Sequence, residues 1–133
     1  MNRDEQDMNE LTERVIGAIF EVSNTLGAGF LEKVYERALL TELNLRGIRA
    51  VEQPSVKVMY KGFVVGDYSP DLLVEDVLLI ELKCVERFAG EHLAQCLNYL
   101  RASGRRVCLL VNFQKPKVEW RRIGFDTSSC GSL

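Results

Sequence analysis

Apolar residues recur at helical spacing between residues 9 and 26, with Leu11, Val15, Ile19, Val22 and Leu26 on one face. This predicts an amphipathic helix, stopped by Gly27. A second helix is expected from about Phe30 to Arg46, with Leu31, Val34, Tyr35, Ala38 and Leu39 as its buried stripe and Gly47 at its end. The period then shortens to two. "SVKVMY", the turn "KG" and "FVVGDY" read as a hairpin, and "DLLV", "ED" and "VLLIELK" as a second, tighter one. The run Val77–Leu82 is apolar nearly throughout, which suits a central strand covered on both faces. Helical period returns over 90–103 through Leu93, Leu97 and Leu100, and Gly104 closes it. "RVCLLVNF" reads as another buried strand, "QKPK" as a turn and "VEWRRIGF" as a last strand. The order helix, helix, three or four strands, helix, two strands predicts an α/β fold, a mixed sheet with helices packed on its faces. It is expected to form one domain over residues 1–126, with a flexible tail at 127–133.

Composition narrows the function. The chain has 133 residues, 47% of them apolar, enough for one real core. No run approaches the roughly 20 apolar residues of a membrane span. The polar, acidic start "MNRDEQDMNE" is unlike a signal or transit peptide, so a cytoplasmic location is expected. The four cysteines, Cys84, Cys96, Cys108 and Cys130, lack the close pairs of zinc or iron–sulfur sites, and are expected to be reduced and structural. The net charge is −2, which argues against indiscriminate nucleic-acid binding. Charge is unevenly spread, however. Residues 101–122 carry Arg101, Arg105, Arg106, Lys115, Lys117, Arg121 and Arg122 against Glu119 alone. A phosphate-facing surface that includes Arg105, Arg106 and Arg121 is one reading, and an ordinary solvated face the other.

Two stretches carry candidate chemistry. In "LGAGFLEKVYERAL", Gly27-x-Gly29 suggests a phosphate loop. It follows a helix rather than a strand, however, and the third glycine of a dinucleotide fingerprint is replaced by Glu32. The glycines are better read as a helix stop and a chain reversal. In "SPDLLVEDVLLIELK", Asp71 opens one strand while Glu81-Leu82-Lys83 ends the next. Side chains alternate along a strand, so Glu81 and Lys83 share a face. Burying such charges uncompensated is costly. A Mg²⁺ or Mn²⁺ ion shared by Asp71 and Glu81, with the Leu82 carbonyl as a further ligand, would offset that cost. Lys83 would then orient or deprotonate the attacking water or stabilise charge on phosphorus. A plain salt bridge between Lys83 and one of the acids is the simpler alternative.

Pro70-Asp71 followed by Glu81-x-Lys83 resembles the PD-(D/E)xK nuclease superfamily, and Gly29-x-x-Glu32-x-x-Tyr35 resembles the motif of its GxxExxY family. Gln95-x-x-x-Tyr99 is similar to the helix motif of RecB-type nucleases. The resemblance covers about residues 9–124. It implies a restriction-endonuclease-like fold with two N-terminal helices and Mg²⁺-dependent cleavage of nucleic acid, most naturally DNA. Asp71, Glu81, Lys83, Glu32 and Gln95 would be catalytic residues, with Glu32 a third acid at the metal. On the third helix, Gln95 would face the Lys83 strand. Tyr99 would meet a phosphate or stack on a base, or else be a core aromatic, and His92 is read as an exposed residue at the helix start. Small Holliday-junction resolvases, which share this size and a helical glutamate, work as dimers, so a homodimer is an expectation too. The competing reading is a non-catalytic module on the same fold that binds nucleic acid or protein. An oxidoreductase has only Gly27-x-Gly29 behind it.

Overall fold

The computed structural model describes residues 3–124. Its elements in chain order are α1 (Arg3–Leu26), α2 (Glu32–Leu45), β1 (Ala50–Glu52), β2 (Val56–Tyr60), β3 (Phe63–Tyr68), β4 (Leu72–Val74), β5 (Leu78–Lys83), α3 (Gly90–Ser103), β6 (Val107–Asn112) and β7 (Glu119–Gly124). The expected tail at 127–133 and Cys130 lie outside the described residues. Among the described residues, no helix is long and apolar enough to cross a membrane.

Helix α1 begins well ahead of its first apolar stripe residue. Asp4 and Glu5 sit in its first turn, where the helix dipole favours negative charge, and Met8 already packs on the core. It ends at Gly27, whose φ of 71° is left-handed and whose amide donates to the Ser23 carbonyl at 2.9 Å. Gly29, at φ 114°, turns the chain toward α2. The register of α2 differs from the expected one. Its buried face is Tyr35, Glu36, Leu39 and Leu43, whereas Leu31 and Val34 are exposed.

Five strands form the main sheet in the order β1-β4-β5-β6-β7. Only β5 and β6 run parallel, joined by α3, and the other neighbours are antiparallel. Strand β1 was not expected from the sequence. Its three residues, "AVE", are too short to show a period, yet they cover the outer edge of β4. The turn from β4 to β5 places Glu75 and Asp76 in left-handed backbone, the signature of a tight primed turn. The hairpin β2–β3 stands apart as a two-stranded sheet, with β2 against α3.

Strand alternation divides the core in two. Leu78, Ile80 and Leu82 join Leu109 and Val111 under α1 and α2. Leu79 joins Cys108 and Leu110 under Cys96, Tyr99 and Leu100 of α3. Strand β5 is thus buried on both faces, as its apolar run predicts.

Tyr35 fastens the joint between the first two helices. Its ring is fully buried and stacks on Phe113 with centroids 4.6 Å apart. Its hydroxyl donates to the Gly27 carbonyl and accepts the Phe30 amide. Tyr35→Phe leaves both backbone groups without that partner, so a loss of about 1–3 kcal/mol is expected in urea denaturation, with the slope unchanged.

Candidate functional site

The site forms where β4 begins and β5 ends. By the β4–β5 register, Asp71 lies one step beyond the Leu72–Ile80 pair, opposite Glu81, on the face that α3 covers. The Asp71 Oδ2 accepts the Leu82 amide at 2.6 Å, which ties the loop before β4 to the last turn of β5. Glu81 is 5% exposed. Its Oε2 meets Lys83 Nζ at 3.2 Å, as the shared face requires. Its Oε1 is buried with no hydrogen-bond partner among the described residues.

These two acids hold too little compensating charge. Burial, and then the charge of Glu81, pushes the Asp71 carboxyl up from 3.8 to about 8, although the Leu82 amide pulls it down. Burial likewise raises Glu81 against the pull of Lys83. An orphaned carboxylate oxygen beside a carboxyl that retains its proton is a donor set suited to a hard cation. Among the described residues, no three acidic, histidine or cysteine side chains converge on one metal position. Asp71 and Glu81 are the two acids that the β4–β5 register brings together here.

Glu32 is the first residue of α2 and is exposed. Its charge reaches Glu81 and Cys84, so it stands at the rim of the site rather than inside it. The buried acid of α2 is Glu36, 3% exposed, which the sequence reading passed over. Its Oε2 binds Lys33 at 2.9 Å. Its Oε1 accepts Gln53 Nε2 at 3.0 Å, and the same amide reaches Asp71 Oδ1 at 3.5 Å. Burial pushes Glu36 up, but hydrogen bonds from Glu52, Lys33, Asp71 and Gln53 outweigh it and hold its carboxyl low. A hydrogen bond to Glu36 raises the Glu52 carboxyl. A signal for Glu36 existed in the sequence. It stands three residues before Leu39 and seven before Leu43, in the buried register.

On α3, Tyr99 is 3% exposed, its ring edge-on to Tyr68 at 5.9 Å. Burial first, and then the charges of Glu81 and Asp71, hold its hydroxyl strongly protonated. Tyr99 is therefore both a core aromatic and a neighbour of the acids. Gln95, one turn earlier, is half buried. His92 caps the helix: its Nδ1 accepts the Ala89 amide at 2.9 Å.

The expected basic surface divides. Arg105 and Arg106 precede β6, and β6 starts beside Leu78, so they lie at the opposite end of the sheet from Lys83. There Arg105 binds Asp76 at 2.9 Å. Arg121 stays nearer, in the cross-sheet row Glu81, Leu110, Arg121, with its guanidinium 5.7 Å over the Phe88 ring.

A sequence model of the PD-(D/E)XK nuclease superfamily matches residues 9–123. Among solved structures, the chain is similar to the protein SSO0001, with 17% identity and a TM-score of 0.56 over 72% of this chain and 52% of that one. It is also similar to LHK-Exo, an alkaline exonuclease from Laribacter hongkongensis, with 20% identity and a TM-score of 0.48 over 83% of this chain and 77% of that one. The same enzyme in complex with dAMP gives 17% identity and a TM-score of 0.50 over 85% and 79%. No curated protein matches the chain. At these identities the likeness is one of fold, and it agrees with the expected mixed sheet flanked by helices.

The raised Asp71 carboxyl sets a stability profile. The folded chain keeps a proton that the unfolded chain has released between pH values near 3.8 and about 8. Its contribution is therefore full below that window and is lost as the pH rises through it. In metal-free buffer, the wild type should lose more melting temperature between pH 5 and pH 8.5 than Asp71→Asn does. Parallel profiles for the two proteins would remove the burial argument.

Proposed function

The chain belongs to the PD-(D/E)XK nuclease superfamily, and from that membership we propose that it hydrolyses phosphodiester bonds of DNA with Mg²⁺ or Mn²⁺ held by Asp71 and Glu81. The observation that carries this reading is the buried Glu81 Oε1 without a hydrogen-bond partner among the described residues, beside an Asp71 carboxyl that burial and Glu81 push up to about 8. A bound divalent cation supplies positive charge and Lewis acidity at the scissile phosphate. Leu82 enters through its backbone: the amide aligns Asp71, and the carbonyl is the oxygen offered as a further ligand.

Lys83 positions the attacking water in this proposal. Its ammonium is held by Glu81 at 3.2 Å and only 18% of its side chain is exposed, so it is fixed near the acids rather than swinging in solvent. It orients the attacking water and offsets charge that develops on phosphorus. The Tyr99 hydroxyl, kept protonated by burial and by the same acids, is a donor to a phosphate oxygen, and Gln95 shares its helix face. Glu36, through Gln53, keeps Asp71 turned toward Glu81. Glu32 attracts the cation from the rim. Within the superfamily we place the chain with the GxxExxY proteins, on Gly29, Glu32 and Tyr35. The dAMP bound to LHK-Exo, a structural neighbour, is in keeping with a DNA substrate.

Two measurements test the reading. Lys83→Ala should lower cleavage of single- and double-stranded DNA by at least a hundredfold, a range that acid–base and electrostatic contributions reach, while circular dichroism stays unchanged. Asp71→Asn should weaken Mn²⁺ binding in calorimetry. A wild type that binds DNA yet cuts none with any divalent ion would leave a binding module on this fold.

A further inference from the structure

Strand β7 is the outer strand of the main sheet, and its edge is chemically distinct from the rest of the surface. A cleft of about 620 Å³ wraps its first residues. Phe88 and Arg121 line it on the α3 side, and Phe20, Trp120 and Arg122 on the α1 side, with Lys117 at its mouth. The register Lys83–Asn112–Glu119 sets the start of β7 at the same sheet end as the carboxylates, two strands away. At the usual strand spacing this is roughly 10 Å.

The cleft's chemistry is selective. Lys117, Arg121 and Arg122 face it against one acid, Glu119, which Lys115 already engages at 3.5 Å and Asn112 at 3.3 Å. Arg122 donates through Nη1 to Asn9 at 2.6 Å, and its buried Nε has no acceptor among the described residues. Trp120 is 38% exposed on an edge strand, so part of its ring is open to the cleft. Phe88 offers a second ring, with the Arg121 guanidinium already over it. Cations beside the exposed Trp120 ring suit unstacked bases joined by phosphates. A duplex hides its base faces, so it has no use for these rings.

We propose that this cleft binds single-stranded nucleic acid, with a base stacked on Trp120 and phosphates on Lys117, Arg121 and Arg122. It would thus hold the strand that runs to or from the Asp71–Glu81 site. The proposal rests on the nuclease reading for its place along the strand, but binding at the cleft requires no cleavage.

Trp120 is the only tryptophan in the chain, so its fluorescence reports on this cleft. In EDTA, an oligothymidylate should quench that emission, and the quenching should weaken steeply with salt. A blunt duplex of equal length should quench far less. In anisotropy measurements with a labelled oligothymidylate, Trp120→Ala should weaken binding roughly tenfold, and Trp120→Phe should restore most of it. Lys117→Ala should reduce the salt slope by about one contact. Absence of quenching, equal quenching by the duplex, or unchanged affinity of Trp120→Ala would overturn the proposal, even if the wild type cuts DNA. Quenching by oligothymidylate in a protein that cuts nothing would keep the cleft and reject the nuclease.

Discussion

Two carboxylates at the end of a strand buried on both faces are the constraint around which the molecule is built. Strand β5 needs apolar cover from α1 and α2 on one side and from α3 on the other, and it receives both. That cover lowers the polarity around Asp71 and Glu81, whose environment burial then dominates. One lysine cannot balance them, since Lys83 reaches only one oxygen of Glu81. The Leu82 amide, Gln53 and the Glu36–Lys33 pair keep the acids in place without neutralising them. The site is therefore a stored electrostatic imbalance, kept in position by the packing that creates it.

Much of this could be read from the sequence because the signals were local. The alternation that sets Glu81 and Lys83 on one face follows from strand geometry alone. The glycines of "LGAGF" proved to be backbone devices, with Gly27 and Gly29 both at positive φ. Helix α3 occupies the expected residues, because its leucine period and Gly104 are unambiguous. What escaped depended on tertiary context. The three residues of β1 acquire meaning only through β4. Glu36 was passed over because the stripe of α2 was drawn through Leu31 and Val34, which are exposed. Proximity in sequence also misled: Arg105 and Arg121 share a basic segment, but β6 carries the chain from one end of the sheet to the other between them.

The two ends of the sheet consequently differ in character. At the start of β5 and β6, Arg105 is matched to Asp76. At the other end, acids collect at β4 and β5 while cations and aromatic rings collect at β7. An anionic polymer would be attracted by the second group before any contact forms.

The parallel pairing of β5 with β6 also has a consequence for synthesis. Leu78 pairs with Val107 and Lys83 with Asn112, so the strand bearing Glu81 and Lys83 finds its parallel partner only after α3 and β6 have left the ribosome. Closing so long a loop carries an entropy cost that a hairpin such as β4–β5 avoids. The acidic pair therefore gains its dry, rigid setting late, and a half-made chain lacks the setting that gives those residues their character.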